Sequence, residues 1–250
     1  MIIDVNAWTG HCWALPVDGS VEAVCASLHA VDVRTCFMSP SAAAWFPNPH
    51  ACNANVYEAA DEQVNISPVP ALSPRVTTWR DELDSAVTHP GVKAVKLLPA
   101  YHGYDLKDAG ELLAELSKAA LVVIVQTRLE DPRRHHPLAQ VPDVEAEAVV
   151  EAAETFGDLN FIIGGPRSYG ITSLTDKLIG MPNLWTDVSQ ADGMDQVKLF
   201  VEAGLTSKLL FGSHAPFLIP HSAVLRVVND LKDADAEAIL CGNATRLFGL

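Results

Sequence analysis

Histidines are the residues whose placement in this sequence most directly indicates chemistry. Seven of its nine histidines follow apolar segments typical of buried strands: His11, His50, His102, His135, His136, His214 and His221. Imidazole titrates near neutral pH, so it can transfer a proton or bind a metal ion. We expect His214, in the turn Gly-Ser-His-Ala-Pro, to be the principal acid/base residue. The alternative is a structural imidazole that donates to a loop carbonyl.

Cationic side chains share this region of the sequence. Lys96 lies in the fourth apolar segment, and Arg128 and Arg134 follow the fifth. Arginine binds carboxylate and phosphate through paired hydrogen bonds, so we expect a small anionic substrate. Two alternatives stay open: the arginines pair with Glu130 and Asp131 in the same loop, or the strand register turns Lys96 away from the site.

Further polar residues are assigned to the same site. Catalytic roles are assigned to Asp187 and His102, and substrate contacts to Asn6, His11, Tyr104, Gln126 and His136. Asn6 and Gln126 end strands, where amides equally often satisfy buried backbone groups. His102 and Tyr104 lie on a glycine turn suited to stacking on a small ring.

The elements that must position these residues are short apolar segments alternating with amphipathic stretches. The segments are Ile2 to Asn6, Val33 to Met38, Val64 to Val69, Val92 to Leu98, Leu121 to Gln126, Asn160 to Gly164, Leu184 to Val188 and Lys208 to Gly212. Strands that are apolar on both faces and alternate with helices indicate a parallel sheet. Eight such units without a linker predict one α/β domain over residues 1–250, a closed (β/α)8 TIM barrel with its site at the carboxyl ends of the strands.

Composition excludes several classes of partner. There are 17 Lys and Arg against 31 Asp and Glu, and the net charge of -14 disfavours nucleic acid and anionic membranes. The five cysteines form no CxxC pair, which argues against a zinc ribbon or a disulfide framework. With no long apolar run, we expect a cytoplasmic protein that does not bind membranes. Serine-hydrolase, P-loop and dinucleotide-binding motifs are absent from the sequence.

Several segments resemble the amidohydrolase superfamily, in particular its amidohydrolase 2 (ACMSD-like) family. They are IIDVNAW, VKLLPAYHGYDL, VIVQTRLEDPRRHHP, NLWTDVSQADG, LLFGSHAP and CGNATRLFG. The last two are the most specific, because FGS before a Pro-containing loop and a closing GNAxRLF helix occur together in that family. The resemblance covers nearly the whole chain and implies the same barrel fold. It also implies self-association as a homodimer.

The resemblance implies a metal site whose ligands this chain has replaced. Family members that use metal bind zinc through His-x-His at strand one, His after strands five and six, and Asp after strand eight. The matching positions here carry other residue types: Asn6, Trp8, Gln126, Gly165 (or its neighbour Gly164) and His214. An indole, two amides and a glycine do not form a zinc site, so we expect no cofactor. The open alternative is zinc at an atypical site of four histidines: His11, His102, His136 and His214.

Two functional hypotheses follow from these substitutions. The first is a metal-independent hydrolase or related lyase of the amidohydrolase type that acts on a small carboxylate-bearing molecule, with His214 as acid/base. The second is a barrel without catalysis that binds a small ligand or a protein partner. A barrel mouth closed by Trp8, Trp13 or the Trp45 loop would favour the second hypothesis.

Overall fold

The computed structural model describes residues 1–11, 16–229 and 231–250, and it shows the predicted alternation of parallel strands with helices. The strands are β1 (Ile2–Thr9), β2 (Val33–Pro40), β3 (Ile66–Pro68), β4 (Ala71–Leu72), β5 (Ala94–Leu97), β6 (Val122–Gln126), β7 (Phe161–Gly164), β8 (Leu184–Asp187) and β9 (Leu209–Leu210). The longer helices are α1 (Val21–His29), α2 (Ala54–Glu62), α3 (Trp79–Thr88), α5 (Gly110–Lys118), α6 (Ala146–Thr155), α9 (Gln196–Glu202) and α10 (Pro220–Val228).

Shorter helices complete the connections. They are α4 (Pro99–His102), α7 (Ser168–Ser173), α8 (Thr175–Gly180), α11 (Asp233–Glu237) and α12 (Asn243–Phe248), with a π-helical segment at Ala238–Gly242 and 3-10 turns at Ser41–Ala44, Pro49–Cys52, Leu106–Ala109, Pro132–Arg134 and Thr206–Lys208. None of the helices in the described ranges is long and apolar enough to span a bilayer.

The strands run in barrel order, and a proline pair divides the third one. Strands β1, β2 and β3 pair in parallel, and β4 through β9 pair in parallel in sequence order. The predicted third strand, 64–69, is therefore wrong in its bounds. It begins at Ile66 and continues to Leu72 as two pieces, because Pro68 and Pro70 have no N–H to donate to a ladder. Val69 N still donates to Met38 O at 2.8 Å, which keeps the pieces in line.

Backbone hydrogen bonds join the last strand region to the first. Val5 N donates to Phe211 O at 2.9 Å, His214 N donates to Asn6 O at 2.9 Å, and Trp8 N donates to Ala215 O at 2.8 Å. These bonds bring the segment after β9 alongside β1, as the closure of a (β/α)8 barrel requires. The predicted fold class is confirmed.

Side chains inside the barrel form layers along its axis. Ala94, Val122 and Trp185 belong to the inner apolar cluster, which Phe248 of α12 closes from below by stacking on Phe37 with ring centroids 4.1 Å apart. Because side chains alternate along a strand, the residues two positions further on also point inward. On β5 and β8 those positions hold Lys96 and Asp187, and on β6 Gln126 is the next inward position after Ile124.

Candidate ligand site at the barrel mouth

A buried polar cluster lies above the apolar layers, at the carboxyl ends of four strands. It consists of Asn6 from β1, Lys96 from β5, Gln126 from β6 and Asp187 from β8. Asn6 Nδ2 donates to Asp187 Oδ2 at 2.8 Å, and Lys96 Nζ donates to Asn6 Oδ1 at 2.9 Å and to Gln126 Oε1 at 3.3 Å. The pairing of β1 with β2 is irregular between Asp4 and Ala7, the stretch that contains Asn6.

Asp187 anchors this cluster to the backbone. Its Oδ1 accepts from Ser189 N at 2.8 Å, while its Oδ2 accepts from Gly165 N at 3.1 Å as well as from Asn6. A carboxylate that accepts several N–H bonds is well satisfied despite full burial. Asp187 therefore joins β1, β7 and β8 at the barrel mouth.

Lys96 is completely buried, and Trp8 lies over its amino group. The distance from Lys96 Nζ to the Trp8 ring centroid is 4.5 Å, which is a cation–π contact. Burial lowers the pKa of Lys96 to about 7, against the opposing effect of the Asp187 and Asp4 carboxylates. Burial also raises the pKa of Asp4 to about 6, although its Oδ1 accepts from Asn6 N and from Ser213 N, both at 3.0 Å.

His214 lies beside Trp8, and both of its ring nitrogens have partners. The indole N–H of Trp8 can only donate, so His214 Nδ1 accepts that bond, at 3.2 Å. The proton is then on Nε2, which donates to Leu129 O at 2.7 Å. Burial lowers the pKa of His214 to about 3, aided by the Lys96 and Arg128 charges, so the imidazole is neutral near pH 7. His214 also has a positive φ of 57°, a strained conformation of the kind that clusters at functional sites.

A cavity of about 190 Å³ opens above His214. Its lining residues are Arg128, Leu129, Glu130, Asp131, Arg133, Arg134, Gln190, His214, Phe217 and Leu218. Arg128 Nε donates to Gln190 Oε1 at 2.5 Å, which orients its guanidinium, and Arg134 forms no ion pair with any described residue. Arg133, in contrast, is paired with Asp131. The cavity thus combines the guanidinium groups of Arg128 and Arg134 with the carboxylate of Glu130 and the apolar faces of Phe217 and Leu218.

The structure brings together only part of the predicted site. Asn6, Lys96, Gln126 and Asp187 share the buried cluster, and Arg128, Arg134 and His214 line the cavity above it. The other four predicted residues lie elsewhere: His11, His102, Tyr104 and His136. No three His, Cys, Asp or Glu side chains in the described part of the chain are placed to share one metal ion. The atypical four-histidine zinc site is therefore not assembled.

Local contacts explain why those four residues diverge. His102 has its Nε2 2.9 Å from Ala43 O, and Tyr104 lies on the flank of the barrel beside a separate cavity of about 640 Å³. His136 is exposed and accepts from Leu138 N through Nδ1 at 3.1 Å, and His11 is exposed. Connections that share one rim still direct their side chains differently, because each loop satisfies its own backbone groups first.

Sequence reasoning missed Gln190, named Gly165 only as a position matched to a metal ligand, and left Trp8 undecided. Gln190 donates to Arg128 O at 2.6 Å and binds the Arg128 guanidinium, and Gly165 provides the N–H for Asp187. Trp8 is fully buried between Lys96 and His214. The available signal for Gln190 was the polar pair Ser189-Gln190, which follows β8, the seventh strand of the barrel. Trp13 lies outside the described residues.

Comparison with known proteins identifies the family. The sequence model of the amidohydrolase 2 family, described as amidohydrolase, matches residues 40–250, which is most of the chain. The chain belongs to this amidohydrolase family. No functionally curated protein matches the sequence.

Solved structures of similar fold include enzymes of two reaction types. A 2,6-dihydroxybenzoate decarboxylase from Rhizobium has a TM-score of 0.75 at 14% identity, covering 99% of this chain and 98% of that one. A probable 2-pyrone-4,6-dicarboxylic acid hydrolase from Acinetobacter baumannii with citric acid bound has a TM-score of 0.68 at 16% identity, covering 100% and 99%. A 5-carboxyvanillate decarboxylase from Novosphingobium aromaticivorans with bound manganese has a TM-score of 0.74 at 10% identity, covering 100% and 97%. At these identities the likeness establishes the fold alone.

With Lys96 in place, the side chains at the positions that the resemblance matches to metal ligands do not fit a transition metal. The amide of Asn6 donates to Asp187, and the amide oxygen of Gln126 accepts from Lys96. The indole N–H of Trp8 donates to His214. His214 is the one imidazole among them, and its Nδ1 lone pair is occupied. Zinc sites need about four nitrogen, sulfur or carboxylate ligands.

Proposed function

We propose that this chain binds a small carboxylate-bearing molecule in the cavity above His214. Arg128 and Arg134 supply the positive charge, Phe217 supplies an apolar face, and Gln190 holds Arg128 in place. Arginine favours carboxylates because its N–H groups match both oxygens. The cavity is smaller than the roughly 300 Å³ at the lower end of drug-sized pockets, so a small acid suits it better than a larger ligand.

The observation that supports the proposal is that both ring nitrogens of His214 already have hydrogen-bond partners. Its Nδ1 accepts from Trp8 and its Nε2 donates to Leu129 O, which leaves no lone pair to abstract a proton from a ligand. The pKa of about 3 makes the imidazole a poor base as well. We therefore infer a barrel that recognises an anion without the family's metal-dependent chemistry. The bound molecule contacts the edge of His214 and the arginines above it.

A second candidate function is metal-free hydrolysis or decarboxylation, and Lys96 is the observation that favours it. An amine with a pKa of about 7 can donate or accept a proton at neutral pH, and Asp187 and Asn6 hold it in place. Access requires that Trp8 move away from the amine. The named relatives act on carboxylated aromatic rings or a pyrone dicarboxylic acid, so the same ligand class serves both candidates.

The two candidates separate in one set of titrations. 2,6-Dihydroxybenzoate and citrate are titrated calorimetrically, with resorcinol as the matched ligand that lacks the carboxylate. The expected result is that one of the acids binds and resorcinol does not. Arg128→Met and Arg134→Met should each weaken the binding of that acid roughly tenfold, or by about 1.4 kcal/mol. Arg80→Met, which removes an exposed ion pair with Glu111, is the control.

Product analysis by liquid chromatography on the same samples measures turnover. Release of product that stops in Lys96→Met would establish the second candidate. Equal binding by wild type, Arg128→Met and Arg134→Met would refute the assignment of the cavity as the anion site.

A further inference from the structure

The side chains at three of the family's metal-ligand positions surround one amino group of this chain. Lys96 enters from β5, and its Nζ lies 2.9 Å from Asn6 Oδ1, 3.3 Å from Gln126 Oε1 and 4.5 Å from the Trp8 ring centroid. Asn6 and Trp8 occupy the strand-one ligand positions, and Gln126 occupies the strand-five position. Two amide oxygens and an aromatic face are surroundings that suit a cation.

The orientation of both amides is set by other partners. Asn6 Nδ2 donates to Asp187 Oδ2 at 2.8 Å, and Gln126 Nε2 donates to Arg128 O at 2.7 Å. Each amide therefore turns its oxygen toward the same point, where Lys96 Nζ lies. The framework around this point presents only acceptors to it, as it would to a metal ion.

The position directly after β7, the sixth strand of the barrel, has no room for a ligand side chain. Gly165 has a φ of +63°, and a Cβ built on it would lie 2.6 Å from Gln126 Nε2, 2.8 Å from Gln190 Nε2 and 2.9 Å from Arg128 O. Real Cβ atoms essentially never approach other heavy atoms this closely, so a side chain at this position would displace the two amides and the Arg128 carbonyl. The glycine is thus matched to the amides packed against it.

We propose that the amino group of Lys96 occupies the point where the resemblance places a metal ion, and that it engages the amide oxygens that a metal would need. It links the carboxyl ends of β1 and β6 directly, and β8 through Asn6 and Asp187. A divalent ion at the same point would take the amide oxygens from Lys96 and meet a like charge within a few ångströms. Lys96 therefore excludes divalent metal ions from the barrel, whichever molecule binds in the cavity above His214.

The first test measures metal binding by the wild-type protein. The chain is incubated with Zn²⁺, Mn²⁺ or Co²⁺, freed of unbound metal and analysed by mass spectrometry of the elements. The expected result is no stoichiometric metal and a melting temperature that neither metal nor chelator changes. One equivalent of metal in the wild type that Gln126→Leu abolishes would overturn the proposal. This measurement requires no variant at Lys96.

The second test replaces Lys96 and uses Lys93 as the matched control. Lys93 precedes the same strand, is partly exposed and donates to Phe248 O at 3.2 Å. Lys96→Met leaves a buried acceptor cluster without its cation, so we expect a melting temperature roughly 10 °C lower, and a much smaller change for Lys93→Met.

Manganese distinguishes an occupied cation site from a lysine that merely packs well. Amide and carboxylate oxygens are ligands that Mn²⁺ accepts, so millimolar Mn²⁺ is expected to raise the melting temperature of Lys96→Met but not that of wild type or Lys93→Met. A Lys96→Met protein that melts at the wild-type temperature and shows no response to Mn²⁺ would overturn the proposal.

Discussion

Protonation of His214 should destabilise this protein as the pH falls below neutrality. The native state holds the imidazole neutral with a pKa of about 3, because burial penalises the charged form and the Lys96 and Arg128 charges oppose it. An unfolded chain binds the same proton with a pKa of about 6.5. The unfolded state therefore takes up more protons below pH 6.5, and stability that is present above this pH is lost as the pH falls toward 3.

The size of the effect follows from the interval crossed. Between pH 6.5 and pH 5.0 the unfolded state gains nearly one proton over about 1.5 pH units, at about 1.36 kcal/mol per unit. The loss attributable to His214 is about 2 kcal/mol at pH 5. His50, whose pKa burial lowers to about 4, acts in the same direction, whereas Asp4, with its pKa raised to about 6, acts in the opposite direction.

A variant isolates the contribution of His214 from these other groups. His214→Gln keeps an amide N–H for Leu129 O but cannot titrate. Urea unfolding of both proteins, followed by tryptophan fluorescence at pH 8, 7, 6 and 5, should show free-energy curves that converge by about 2 kcal/mol between pH 8 and pH 5. Parallel curves, or a nuclear magnetic resonance titration of the His214 ring with a pKa above 6, would refute the reasoning.

Three further predictions concern the scaffold of the barrel and are checked by urea unfolding at pH 7.5. Gly165→Ala should lower the free energy of unfolding by about 3 kcal/mol or more, because the added Cβ overlaps two buried amides. Gly103 has a similar positive φ but open space around it, so Gly103→Ala should lower the free energy of unfolding by only about 1 kcal/mol. Equal losses in the two variants would contradict this reasoning. Asn243→Ala should cost about 2 to 4 kcal/mol, because its Nδ2 donates to two backbone carbonyls at 2.7 Å; a loss under 1 kcal/mol would count against it. Tyr104→Phe should be neutral or stabilising, since the buried hydroxyl has no hydrogen-bond partner in the described structure, and marked destabilisation would reveal one.

The alternation of strands and helices was predictable because burial on both faces of a parallel strand requires a continuous apolar run. The exception was the third strand, which begins and ends later in the sequence than predicted and is split into two pieces. Pro68 and Pro70 limit the hydrogen bonds that each piece can form. The rim position of the site was also predictable, since loops that follow parallel strands meet at one end of a barrel.

The assignment of roles within the site depended on contacts that periodicity does not encode. The direction of Lys96 turned on a one-residue register, which the inward positions of Ala94 and Trp185 resolve. His214 was expected to act as acid/base, with a structural imidazole as the alternative. Its Nδ1 accepts from Trp8 and its Nε2 donates to Leu129 O, and these residues lie 206 and 85 positions away in the chain.

By itself, the sequence determined the barrel and the family resemblance, because these depend on residue types at fixed spacings. Tertiary structure alone decided what surrounds the amino group of Lys96, because it depends on which side chains from distant strands meet at one point. There Lys96 lies among Asn6, Gln126 and Trp8. A buried cation requires acceptors on every side, and only closure of the barrel brings them together.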